Sequence, residues 1–135
     1  MRRSHTLTTA IARPFDEVYD YLAQPVNYQY WAAVEGGTFR PLPNGDWEGM
    51  TPAGPRHFRF TPPNNFGVLD HTIFMPGGEL LTTPMRAVPN EGGTELIFTF
   101  FQRGDMDDDQ FASTLEWIQT DFLALKSLLE ARNRS

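Results

Sequence analysis

The 135-residue sequence contains no cysteine, which excludes disulfides, thiolate metal sites and cysteine nucleophiles. Basic residues are few: 11 Lys plus Arg stand against 17 Asp plus Glu, and Lys126 is the only lysine. A net charge of −6 opposes a surface built to neutralise phosphates, so no nucleic-acid partner is expected. Arg2 and Arg3 are the one adjacent basic pair, too little to hold an anionic membrane surface. No window comes near eighteen apolar residues, and the opening MRRSHTLTTA carries charge with no apolar run behind it. These features predict a cytoplasmic protein with no membrane insertion.

Cofactor motifs are missing as well. GxGxxG, the phosphate-binding GxxxxGK and the hydrolase GxSxG do not occur. His5, His57 and His71 stand alone, without HxxxH or HExxH spacing, so no metal site and no cofactor is expected. Asp105, Asp107, Asp108 and Asp109 lack the glycine and terminal glutamate of a calcium loop, and a helix start accounts for them.

What the chain does have is aromatic bulk, eleven Phe among them, enough to build the core of one domain over 1–135. Residues 4–12 suit a first strand. Pro14 then starts a helix carrying Phe15, Val18, Tyr19 and Leu22 at helical spacing, and a second helical turn follows over Val26 to Trp31. Beyond it, Pro and Gly clusters about ten residues apart separate six strands: Gly37–Leu42, Asp46–Thr51, His57–Thr61, Gly67–Met75, Glu79–Val88 and Thr94–Arg103. Short connections make them an antiparallel meander. A long helix over 107–131 closes the chain. Asp107 caps it with Gln110 as capping-box partner, and Phe111, Leu115, Ile118, Phe122, Leu125 and Leu129 form one stripe. Arg132 and Arg134 suit its negative end.

This order of elements is similar to the helix-grip fold of the START-related SRPBCC superfamily. The opening ARPFDEVYDYLAQPVNYQYW resembles that superfamily's entry, in which a strand meets a proline-started helix and then a proline, an asparagine and a tryptophan. GVLDHTI, PMRAVPNEGGTELIFTFF and DFLALKSLLE resemble a bacterial branch labelled polyketide cyclase/dehydrase-like. The resemblance implies an α+β fold: a curved antiparallel sheet of about seven strands wraps a long C-terminal helix, with two short helices after the first strand. It also implies an apolar cavity between sheet and helix, opening near the short helices. The function it implies is binding of a small hydrophobic or aromatic molecule, lipid- or polyketide-like.

Strand alternation turns that expectation into residues. Leu69, His71, Ile73 and Met75 form the more apolar set of their strand, so His71 is expected to face inward. There it can act as a general acid/base, or sit as an ordinary core histidine with one hydrogen bond. Asp70 points to the other face and cannot form a direct dyad with it; Arg86 or Arg59 is its expected partner. Arg86 could instead bind a ligand carboxylate or carbonyl. The candidate lining is Tyr30, Trp31, Phe60, His71, Thr83, Met85, Arg86, Phe98 and Phe100, with Phe111, Leu115 and Ile118 from the helix. Trp31 has a plainer role in packing the second turn onto the sheet, and Phe39 and Trp47 are placed near the cavity mouth. Two rival functions stay open. One is a cyclase or dehydratase using His71. The other is a protein-interaction module or homodimer face, which needs an exposed apolar patch from Ile97, Phe101 and Trp117.

Overall fold

The computed structural model describes residues 1–132. Chain order is β1 (Ser4–Ile11), α1 (Phe15–Leu22), a 3-10 helix (Pro25–Tyr30), β2 (Arg40–Pro41), β3 (Trp47–Thr51), β4 (Gly54–Phe60), β5 (His71–Phe74), β6 (Thr82–Thr83), β7 (Met85–Asn90), β8 (Gly93–Phe101) and α2 (Asp108–Glu130). Pro14 is the residue before α1, with Asp16 and Glu17 in the first turn. Asp107 caps α2 reciprocally: the Gln110 N–H donates to Asp107 Oδ1 at 2.8 Å, and the Asp107 N–H donates to Gln110 Oε1 at 2.9 Å.

All pairings are antiparallel. One ladder runs β2-β3-β4-β5-β6 and the other β1-β8-β7. They meet in one surface. The Leu69 N–H donates to the Met85 carbonyl and the Ala87 N–H to the Gly67 carbonyl, both at 2.9 Å, with a bridge between Val68 and Arg86. β6 and β7 lie end to end, parted by Pro84, so eight short strands act as seven.

Proline also explains where strands end sooner than expected. The expected strand Glu79–Val88 begins only at Thr82 and breaks at Pro84, which has no N–H to give the ladder. Gly37–Leu42 shrinks to Arg40–Pro41, and Gly67–Met75 to His71–Phe74, because Pro62 and Pro63 part the chain from β4 before residue 71. Met75, expected inward, lies past the end of β5 in the turn and is exposed.

α2 lies on the concave side of the sheet. Phe111, Phe122, Leu125 and Leu129 of its stripe are at most 3% exposed, whereas Leu115 and Ile118 are half-buried. The core beneath them is built from Ile11, Val18, Trp31, Met85, Ala87, Leu96, Phe98 and Phe100. Phe100 stacks on Phe111 at 5.4 Å, and Phe122 meets Phe98 edge-on at 5.2 Å. Arg132 falls beyond the C-cap Ala131, with its guanidinium over the Tyr21 ring at 5.0 Å; Arg134 is outside the described residues.

Candidate functional site

Register fixes which side chains face the concave side. Phe58 pairs with Trp47 and Ile73, and Phe60 pairs with His71, which in turn pairs with Thr83; directly opposed residues share a face. The concave side of β3 to β5 is therefore a wall of rings, Trp47, Phe58, Phe60 and His71. The 3-10 helix supplies the facing layer. On such a helix residues three apart eclipse, so Tyr28 and Trp31 share one face and Tyr30 points elsewhere.

Tyr28 is the centre of this cluster. Its ring lies 5.1 Å from Trp31, 5.9 Å from Phe39, 5.5 Å from both Phe58 and Phe60, and 5.9 Å from His71. Trp31 stacks on Phe122 of α2 at 5.7 Å, joining helix and sheet. Most of these contacts are tilted or edge-on, the geometry the ring quadrupole favours. This interior was the expected ligand cavity. In the structure its rings touch one another.

Open space lies at the mouth. A cleft of about 480 Å³ is lined by Ala23, Gln24, Pro25, Val26, Gly45, Trp47, Phe60, Thr61, Pro62 and Pro63. Trp47 is held there by stacking on Phe39 at 4.8 Å. The far wall is braced by Asn64: its backbone N–H donates to the Tyr19 hydroxyl at 2.7 Å, and its side-chain oxygen accepts from the N–H groups of Phe66 and Val68. The cleft lining holds no ionisable side chain. A second cleft, about 390 Å³, lies between β1, the β7–β8 turn and Lys126. Lys126 is already engaged there, donating to the Ala10 carbonyl at 2.6 Å and to Glu130 at 2.8 Å.

Of the expected lining residues, Phe60 is the one that borders the larger cleft. Tyr30 does not face the interior: it is 62% exposed, and Tyr28 occupies the buried position. Trp31, Met85, Phe98, Phe100 and Phe111 are core, and Thr83, Leu115 and Ile118 are half-buried. Arg86 binds Asp70, so its guanidinium serves an ion pair. Arg59 instead makes a two-pronged bond to Asp46, 3.0 Å to each oxygen, and this lowers the Asp46 pKa. The sequence puts Tyr28 with Tyr30 and Trp31 on one apolar edge without marking it as the inward tyrosine, and it does not single out Asp121 or the prolines of the mouth. The three-residue spacing of Pro25, Tyr28 and Trp31 was the available signal.

His71 is 6% exposed, with ring neighbours Phe60 at 6.2 Å and Phe98 at 6.0 Å. Burial lowers its pKa, opposed by its bond to the Leu69 carbonyl and by the charge of Asp70, so the ring is neutral near pH 7. Burial raises the Tyr28 phenol, and the Asp121 carboxylate adds to this. Asp121, on α2, is itself pushed up to about 6 by desolvation, with a hydrogen bond from the Ala33 backbone pulling the other way. Asp70 is tied elsewhere, to the Met85 N–H and to Arg86, so it offers His71 no proton-transfer partner. The suggested interaction patch is divided. Phe98 and Phe100 are buried while Ile97 and Phe101 alternate with them onto the convex face, away from Trp117 on α2.

By sequence, the chain matches no family model and no curated protein. By fold, it is similar to XoxI from Bacillus cereus, with TM-score 0.74, 9% identity, and coverage of 98% of this chain and 99% of that one. It is similar to the Aha1 dimer from Colwellia psychrerythraea, with TM-score 0.72, 13% identity, and coverage of 97% and 98%. Ara h 8.0201 follows with TM-score 0.64, 11% identity, and coverage of 96% and 98%. The architecture is the helix-grip fold. At these identities the likeness concerns the fold alone. Among the described residues no helix is long and apolar enough to cross a membrane, and no group of three potential metal ligands occurs.

Proposed function

We propose that the protein binds a small, uncharged hydrophobic molecule, aromatic by preference, in the cleft between the 3-10 helix and the β3–β4 wall. The observation that carries this reading is the lining itself. Trp47, Phe60 and three prolines line an open cleft of about 480 Å³ with no charged side chain, a size and character suited to a small apolar ligand. Burial of apolar surface would supply the affinity, and the stiff proline rings and braced loop would keep the ordering cost low. Membership of the START-related SRPBCC superfamily is part of this proposal, supported by the helix-grip fold and by the residues that open the chain.

The enzymatic alternative, a cyclase or dehydratase using His71, has less support because Asp70 is committed to the sheet and lies on the opposite face. Titration with 2-methoxynaphthalene, followed by tryptophan fluorescence, tests the binding reading. Saturable binding is expected in the wild type and a large loss in Val26→Glu, which places a charge on the exposed rim. Val26 is 40% exposed, so this variant is expected to fold. Absence of saturable binding, or equal binding by the variant, would sink the proposal.

A further inference from the structure

The sheet ends at β1, and no strand lies beside its outer edge. Which backbone groups that edge presents follows from the hydrogen-bond phase. In an antiparallel ladder each residue directs its N–H and C=O to one side, and successive residues alternate. The Gln102 N–H donates to the Arg3 carbonyl at 2.8 Å, so the odd-numbered residues of β1 bond to β8 and the even-numbered ones face outward. Two contacts from α2 agree with this phase: Lys126 Nζ donates to the Ala10 carbonyl, and the Ala12 N–H donates to Glu130. Among the described residues, the outward N–H and C=O groups of Ser4, Thr6 and Thr8 have no protein partner.

This edge also lacks the devices that discourage pairing. Natural sheets blunt a free edge with charge, proline or a bulge. β1 runs for 8 residues, SHTLTTAI, without an acidic residue, a lysine, an arginine or a proline, and its register with β8 is unbroken from Ser4 to Ile11. The charges at its ends are already matched, Arg3 with Asp108 and Lys126 with Glu130. The flank of α2 that brings Lys126 to the edge carries Leu123 three residues earlier, 64% exposed.

We propose that this edge is a homodimer interface, formed when β1 of a second copy adds antiparallel to it. The free groups are self-complementary about Thr6. With Thr6 opposite its own copy and Ser4 opposite Thr8, every outward N–H of the three residues meets an outward carbonyl, and the sheet continues across the twofold axis. Charge selects a second copy as the occupant. The chain carries −6 overall, so most faces of two copies repel, whereas along β1 neither copy presents an acidic residue, a lysine or an arginine. A charged peptide finds no counter-charge there. In this register His5 lies opposite Leu7, so no like charges meet. No residue of β1 lines the proposed ligand cleft, and the two readings stand or fall separately.

Sedimentation equilibrium of the full chain is expected to show a concentration-dependent equilibrium between monomer and dimer. Thr8→Lys places a charge on the edge at an exposed position, and Thr6→Pro removes an N–H that the monomer does not use. Both are expected to leave only monomer, with little change in melting temperature. Cross-linking reads the register, because the chain has no thiol of its own. Thr6→Cys places the new sulfurs across the twofold axis and is expected to form a disulfide-linked dimer under mild oxidation, whereas Thr8→Cys, opposite Ser4, is expected not to. A wild type that stays monomeric from micromolar to millimolar concentration, a dimer undiminished in Thr8→Lys, or cross-linking at Thr8→Cys in preference to Thr6→Cys would overturn the proposal.

Discussion

Asp70 Oδ1 accepts the backbone N–H of Met85 at 2.8 Å, at the point where Pro84 interrupts the strand between β6 and β7. The same oxygen binds the Arg86 guanidinium. One carboxylate therefore closes the seam between the two ladders of the sheet.

Asp70→Ala leaves the Met85 N–H without that acceptor and frees Arg86, and is expected to cost about 2–3 kcal/mol. Arg86→Ala removes the ion-pair partner, which is 42% exposed, and its 3.1 Å bond to the Met85 carbonyl, but leaves the Met85 N–H its acceptor, and is expected to cost about 1 kcal/mol or less. Urea denaturation of the two variants checks this. Equal losses would show that the Met85 bond contributes little.

Gly67 has φ +69°, and a Cβ there would lie 2.3 Å from the Ala87 carbonyl oxygen, within the backbone pairing that joins the ladders. Gly67→Ala combines left-handed strain with a backbone clash, and a loss of at least about 2 kcal/mol is expected. Gly77→Ala, with φ +77° but open space around it, separates the two effects and should lose less in the same thermal melt.

The α2 stripe is uneven. Leu125 is fully buried and Leu123 is 64% exposed on the same helix. Leu125→Ala is expected to cost about 3 kcal/mol through lost burial and a cavity, and Leu123→Ala less than about 0.5 kcal/mol. Chemical denaturation of both decides whether the sheet grips α2 as its burial indicates.

Asp121 makes stability depend on pH. Its folded-state pKa, raised to about 6, lies above the 3.8 of the free side chain, so between those values the folded protein binds more protons than the unfolded one. Its contribution is most favourable below about pH 4 and is lost as pH rises through 6. Asp121→Asn keeps an acceptor for the Ala33 N–H without the charge. The variant is expected to be more stable than wild type at pH 7.5 by about 1 kcal/mol, a figure reduced for the solvent screening of a partly exposed site, with the gap closing toward pH 4. A gap that stays constant from pH 4 to 7.5 would remove Asp121 as its source.

Legibility followed the range of the interactions. The Asp107–Gln110 cap, the proline that precedes α1 and the stripe of α2 are set by residues within a few positions of one another, so the chain displays them directly. The 3-10 helix was legible in place but not in its facing: Tyr28 lies three residues before Trp31 and shares its inward face, whereas the adjacent Tyr30 cannot and is 62% exposed. The inward position of His71 follows from strand alternation. The same alternation gives no reason for Phe74, which is buried on the convex face beneath Arg59, whose guanidinium lies 5.1 Å from its ring.

The sequence alone determined the order of elements, the antiparallel character of the sheet and the long closing helix, because turn chemistry, capping and hydrophobic period are local. Tertiary structure decided where open space remains. Whether aromatic rings meet across a sheet and a helix depends on register and on the closeness of elements dozens of residues apart; here they fill the interior and leave the cleft at its mouth, with Phe60 lining that cleft and packed against Tyr28 and His71.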